Sequence, residues 1–197
     1  MEKITLILVG SIYFKSPEEV GDLDFLYPDE EIERLLPFLR SVENFLERRN
    51  LVLYADFFTR FGEINSLFSP PSVYLLYKKL EEGGFIRKRR MGEKMRKKIE
   101  GVLRKFGFSF RDVGDFLSLV QKYAEIEELE TISAGLMYLP WPEISEKSLK
   151  NLQKFVEKYP EAVEVINKAA TYLNLENFMK GREAYTYELR GNCENSG

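Results

Sequence analysis

The 197-residue chain is 44% apolar and 31% charged, the make-up of a folded, soluble protein with one ordinary domain or two small ones. Its 29 basic and 32 acidic side chains leave a net charge of -3, which favours no class of partner by itself. The absence of histidine excludes Ser-His-Asp and Cys-His catalysis and nearly all catalytic zinc sites.

Ile4–Val9 is a short apolar run closed by Gly10-Ser11 and reads as a buried strand. It is too short for a signal-peptide core, and no other stretch is apolar enough to span a membrane. A cytoplasmic protein is expected. Ser16-Pro17-Glu18-Glu19 can open one helical turn ended by Gly21, and Asp22–Tyr27 is a second strand. Pro28-Asp29 launches a helix over roughly residues 30–49, which Pro37 should kink or divide. Leu51–Phe58 is a third strand, apolar except for Asp56. From Met91 the signal is helical: residues 92–105, residues 111–130, a break at Tyr138–Pro142, a helix capped by Ser145 to about Lys158, and another from Pro160 to about Leu173. The expected fold class is therefore α/β (α+β): a small mixed sheet with flanking helices over residues 1–90, then a helical domain over 91–185. A flexible polar tail follows over 186–197. It carries the lone Cys193, which can form no internal disulfide.

With neither histidine nor a thiol pair, chemistry falls to carboxylates, hydroxyls, Lys, Arg and Tyr, with hard cations such as Mg²⁺ as natural helpers. Two features gather such groups. Period-2 alternation puts Asp22 and Asp24 on one face of their strand, with Leu23 and Phe25 on the other. Asp56 interrupts Val52-Leu53-Tyr54-Ala55-Asp56-Phe57-Phe58, where a buried carboxylate is costly unless neutralised, hydrogen-bonded or bound to a cation.

An apolar strand ending in Gly10-Ser11, ten residues, Asp22-Leu23-Asp24, and a later Asp56 together resemble the nucleotidyltransferase superfamily, the polymerase-β-like fold. Ser69–Ile86, a short helix with a Gly83-Gly84 return, is similar to the minimal members of that superfamily, so the likeness covers residues 4–90. It implies that Asp22, Asp24 and Asp56 hold two Mg²⁺ ions, which neutralise a nucleoside triphosphate (ATP above all) and align an acceptor hydroxyl for in-line attack. It also implies that Gly10 and Ser11 approach the phosphates. Acceptors in such families are protein, RNA or small-molecule hydroxyls, and small members resemble toxin–antitoxin components. The chain departs from the pattern at Ile12-Tyr13-Phe14-Lys15, where a small residue, Arg and Gly are common; Lys15 restores the charge without an arginine's bidentate geometry. Glu63 lies close enough in sequence to compete with Asp56 for the third position.

Phe85–Lys105 carries ten basic against two acidic residues, a +8 segment on a background of -11. It reads either as a solvated helix face or as a phosphate-tracking patch for RNA or an acidic partner protein. Two other readings of the whole remain: a winged-helix DNA-binding regulator, with Ser72-Val73-Tyr74 opening its recognition helix and Arg87–Arg90 on a wing, and a catalytically inactive nucleotidyltransferase-like scaffold.

Overall fold

Residues 2–64 and 66–175 are described by the structure, a computed structural model. The expected tail with Cys193, and residues 176–185 of the expected helical domain, lie outside the described residues.

Ile4–Val9 (β1) is a strand, and its apolar side chains are buried on both faces because sheet and helices surround it. The other strands are Leu23–Leu26 (β2), Ala55–Thr59 (β3), Gly62–Glu63 (β4), Lys88–Arg90 (β5) and Ala124–Leu129 (β6). They form one six-stranded mixed sheet in the order β4-β3-β2-β1-β6-β5. β1 runs antiparallel to β2 and parallel to β6, β2 is parallel to β3, and the outer pairs β3–β4 and β5–β6 are antiparallel. The fold class is α+β, as expected.

The helices are Leu36–Arg49 (α1), Ser72–Glu82 (α2), Glu93–Lys105 (α3), Phe110–Tyr123 (α4), Thr131–Leu136 (α5), Glu146–Lys158 (α6) and Val163–Tyr172 (α7). Pro37 does divide the helix expected over 30–49: a 3-10 turn at Ile32–Arg34 precedes it, and Pro37 sits in the first turn of α1, where its missing N–H costs nothing. Among the described residues no helix is long and apolar enough to cross a membrane.

One expected helix is corrected. The helix placed over residues 111–130 stops at Tyr123, and the chain turns extended at Ala124 to pair with β1. The sheet therefore crosses the expected boundary between residues 90 and 91. Tertiary pairing overrides local propensity here, because β6 fills the open edge of β1 and offers an acidic strand to the basic β5. Lys88 bridges to Glu127, Arg89 to Glu128 at 2.7 Å, and Arg90 to Glu125. The leading cations of the +8 segment are thus engaged in holding two strands together. A helix-turn-helix would need a helix over residues 59–68, and the chain places the β3–β4 turn there.

Alternation sorts the two faces. Leu6, Leu23, Phe25 and Phe57 point to one side, where α1, α3 and α4 bring Phe38, Val42, Ile99, Phe116 and Leu117 against them. Phe25 stacks on Phe57 at 5.5 Å, the cross-strand pair of a parallel register. The opposite side carries Asp24, Asp56 and Phe58 and is bordered by α2, the end of α5 and the start of α6. Phe155 of α6, fully buried, anchors this second layer through edge and tilted ring contacts with Phe14, Tyr138 and Tyr159. Phe155→Ala is expected to lower unfolding free energy by about 3–5 kcal/mol in urea titrations. Ile144→Ala, at an exposed position, should stay within about 0.5 kcal/mol.

Candidate functional site

β1 ends on Gly10, whose φ of +91° is open to glycine alone at little cost. A Cβ there would fall on Asp24 Oδ2, so the missing side chain is what lets the carboxylate lie against the backbone. Ser11–Tyr13 then form a 3-10 turn, and the N–H groups of Phe14 and Lys15 both donate to Ser11 O, at 3.1 and 2.9 Å. The buried Tyr13 hydroxyl donates to Leu8 O at 2.6 Å and accepts from the Leu129 N–H at 2.8 Å, locking the turn to β1 and β6. Three lysines fasten the rest of the loop: Lys98 donates to Ile12 O, Lys158 to Phe14 O at 3.1 Å, and Lys105 to Val20 O at 2.6 Å.

Strand register assembles the carboxylates. Asp22 is exposed just before β2, and Asp24 within β2 stands on the same face. The parallel pairing of β2 and β3 sets Asp24 opposite Asp56, and the β3–β4 hairpin sets Glu63 opposite Phe58. Gly10, Ser11, Lys15, Asp22, Asp24 and Asp56, the six residues singled out in the sequence, all line one cavity of about 320 Å³. Asp56 occupies the third acidic position facing the cavity, while Glu63, on the neighbouring strand β4, hydrogen-bonds to it.

Strands pair about 4.8 Å apart, and two carboxylates at about that separation repel by roughly 3 kcal/mol at an effective dielectric of 20. The cluster answers by holding protons. Burial, the hydrogen bond with Asp56 and the charges of Asp56 and Asp22 push the Asp24 carboxyl up to about 8, with Lys147 opposing them. Glu63 is raised too, chiefly through its hydrogen bond with Asp56 and then through burial. Among the described residues no group of three acidic side chains stands ready at metal-ligand spacing; the carboxyls meet in hydrogen-bonded pairs.

The far wall of the cavity escaped sequence reading. It consists of Tyr138, after α5, with Lys147, Ser148 and Asn151 from the first turns of α6. Ser145 caps α6 by accepting from the Ser148 N–H at 3.4 Å, a cap legible in the sequence. Lys147 and Asn151 follow one turn apart on the same helix face, a pattern that any solvated helix could show. The Tyr138 hydroxyl is buried in this wall without a hydrogen-bond partner, and burial followed by the charge of Asp24 holds its proton tightly. The cavity thus has an acidic wall from the sheet and, facing it, a wall of hydrogen-bond donors with Lys147 at a helix N-terminus.

The chain matches no protein-family model, no curated protein and no solved structure at a significant level.

Two outcomes follow from this geometry. Gly10→Ala must both strain the backbone and displace Asp24, whereas Gly84, at φ +77°, has open space around it. Urea unfolding should show about 1 kcal/mol lost for Gly84→Ala from strain alone, and clearly more for Gly10→Ala. For Asp24, the folded-state value of about 8 lies above the unfolded-state value of 3.8, so the folded state holds the extra proton between them. Stability measured in EDTA should therefore fall as pH rises across that window, by at most about 1.4 kcal/mol per pH unit. Asp24→Asn should flatten this slope and be the more stable form above pH 8.

Proposed function

We propose that the chain is a divalent-cation-dependent nucleotidyltransferase, moving a nucleoside monophosphate from a nucleoside triphosphate, ATP being the first donor to test, to an acceptor hydroxyl on RNA, protein or a small molecule. The observation that carries this reading is the convergence of Gly10-Ser11 with Asp22, Asp24 and Asp56 on one cavity. The cavity's volume lies in the range of small-ligand sites.

Hard divalent cations take carboxylate oxygens, and the burial, hydrogen bonding and neighbouring negative charge that raise Asp24 are the electrostatic setting a cation relieves. Asp22, Asp24 and Asp56 would hold Mg²⁺, which when bound neutralises phosphate charge and polarises the phosphorus centre. The chain's own groups divide the remaining work. Gly10 lets the Asp24 carboxylate lie against the backbone at the cavity wall, and Ser11 beside it offers a donor for a phosphate. Lys15 and Lys147 place positive charge on the cavity wall for the triphosphate, and the unpaired Tyr138 hydroxyl is free to donate to the bound nucleotide. Asp56, hydrogen-bonded to Glu63, takes the proton of the acceptor hydroxyl. The acceptor oxygen then bonds to the α-phosphorus as the bond to the bridging oxygen breaks and pyrophosphate leaves. Membership of a toxin–antitoxin pair, with a partner protein or tRNA as acceptor, is supported by the sequence resemblance alone.

The test is transfer of label from α-³²P-ATP to total RNA and to protein in the presence of Mg²⁺. Transfer should fall by about 100-fold or more in Asp22→Asn and Asp24→Asn. If the folded wild-type protein shows neither triphosphate binding by calorimetry nor transfer with any of the four nucleotides, the reading fails.

A further inference from the structure

A second cavity, of about 500 Å³, is lined by Phe14, Lys15, Glu19, Lys154 and Lys158. Lys15 also lines the carboxylate cavity, so the two adjoin at that side chain. Lys98 stands close by: it binds the loop carbonyl of Ile12, and the charges of Lys158 and Lys94 reach it. Among the described residues, Lys15, Lys98, Lys154 and Lys158 make no ion pair. Several other cations are matched: Lys88, Arg89, Arg90, Arg96, Lys150 and Lys168 have acidic partners. Lysines without an ion pair thus gather beside the acidic site, with Glu19 the one acidic residue lining their cavity among the described residues.

We propose that this lysine-lined cavity holds the phosphate backbone of a single-stranded nucleic acid and presents its terminal hydroxyl at the carboxylate site. The hydroxyl's role as acceptor rests on the transferase reading; the binding rests on the charge geometry alone. Lys154 and Lys158 lie one helical turn apart, about 6 Å along the axis of α6, and with Lys15 they form a row leading toward Asp22 and Asp24. A ligand with charge repeated along its length matches such a row. Lysine ammonium groups suit phosphates met without fixed geometry, whereas a bidentate carboxylate partner would favour arginine, and no arginine lines the cavity. An acidic protein would need an apolar anchor at its centre, and the only aromatic ring lining the cavity, Phe14, is 8% exposed and buried against Tyr138 and Phe155. The same burial leaves no stacking platform, so binding should be indifferent to base sequence and steep in salt.

The experiment is fluorescence anisotropy with a short labelled single-stranded RNA in EDTA, which separates binding from transfer. Wild type should bind with a log–log salt slope of about -2, the value for three phosphate contacts on a single strand. Lys154→Glu/Lys158→Glu should weaken binding by about 10-fold or more. Because Lys158 also bonds to Phe14 O, Lys154→Ala is the second variant; it makes no bond to the loop and should still weaken binding several-fold. Lys150→Ala/Lys168→Ala, at paired positions, should bind as wild type does. Equal RNA affinity in wild type and Lys154→Glu/Lys158→Glu overturns the proposal, as does displacement of the RNA by polyglutamate at equal charge concentration. RNA binding that depends on Lys154 in a protein without transfer activity would uphold the cavity's role and overturn the transferase reading instead.

Discussion

The parallel pairing of β2 with β3 is the constraint around which the rest is arranged. It sets Asp24 and Asp56 side by side, one strand spacing apart, on a face already partly covered by helices. Two like charges there are tolerable only with a shared proton or a cation. Neighbouring features read as consequences. Gly10 has no side chain because Asp24 occupies its space, Glu63 supplies a further carboxyl to hydrogen-bond Asp56, and Lys147 brings the nearest opposing charge from another layer. Stability is given up at this point while the aromatic layer around Phe155 and the stacked Phe25–Phe57 pair hold the strands in place.

Much of this was legible in the residues. Gly10-Ser11, Asp22, Asp24 and Asp56 could be found because strand alternation is a local rule, and β1, the Pro37 division and the Ser145 cap are local as well. What escaped depends on pairing between distant segments. Ala124, Ile126 and Leu129 fit a helix's apolar spacing nearly as well as a strand's alternation, and only the empty edge of β1 decides between them. A cue was present in the complementary runs Lys88-Arg89-Arg90 and Glu125–Glu130, which pair as strands 39 positions apart at Arg89 and Glu128. The wall formed by Tyr138, Lys147 and Asn151 had no such cue. Its side chains carry no spacing that separates them from ordinary core and surface, and their role comes from where α6 docks.

Charge in this molecule is sorted by partner. Three cations of the basic run are neutralised by β6, while lysines scattered over the 11–20 loop, α3 and α6 meet in space without ion pairs among the described residues. Lysines fastened to the carbonyls of Ile12, Phe14 and Val20 also fix the loop that carries Ser11 and Lys15. The polypeptide between the two cavities is therefore braced from the helices.

An open sheet has two edges, and each leaves a row of backbone donors and acceptors without partners. At one end β4 is two residues long, too short to guide another strand. At the other, Lys88, Arg89 and Arg90 follow in succession on an exposed strand. A second copy approaching edge to edge would bring six cations together along one seam. The residues that tie β5 to β6 on its inner side thus also make its outer side a poor template for another strand.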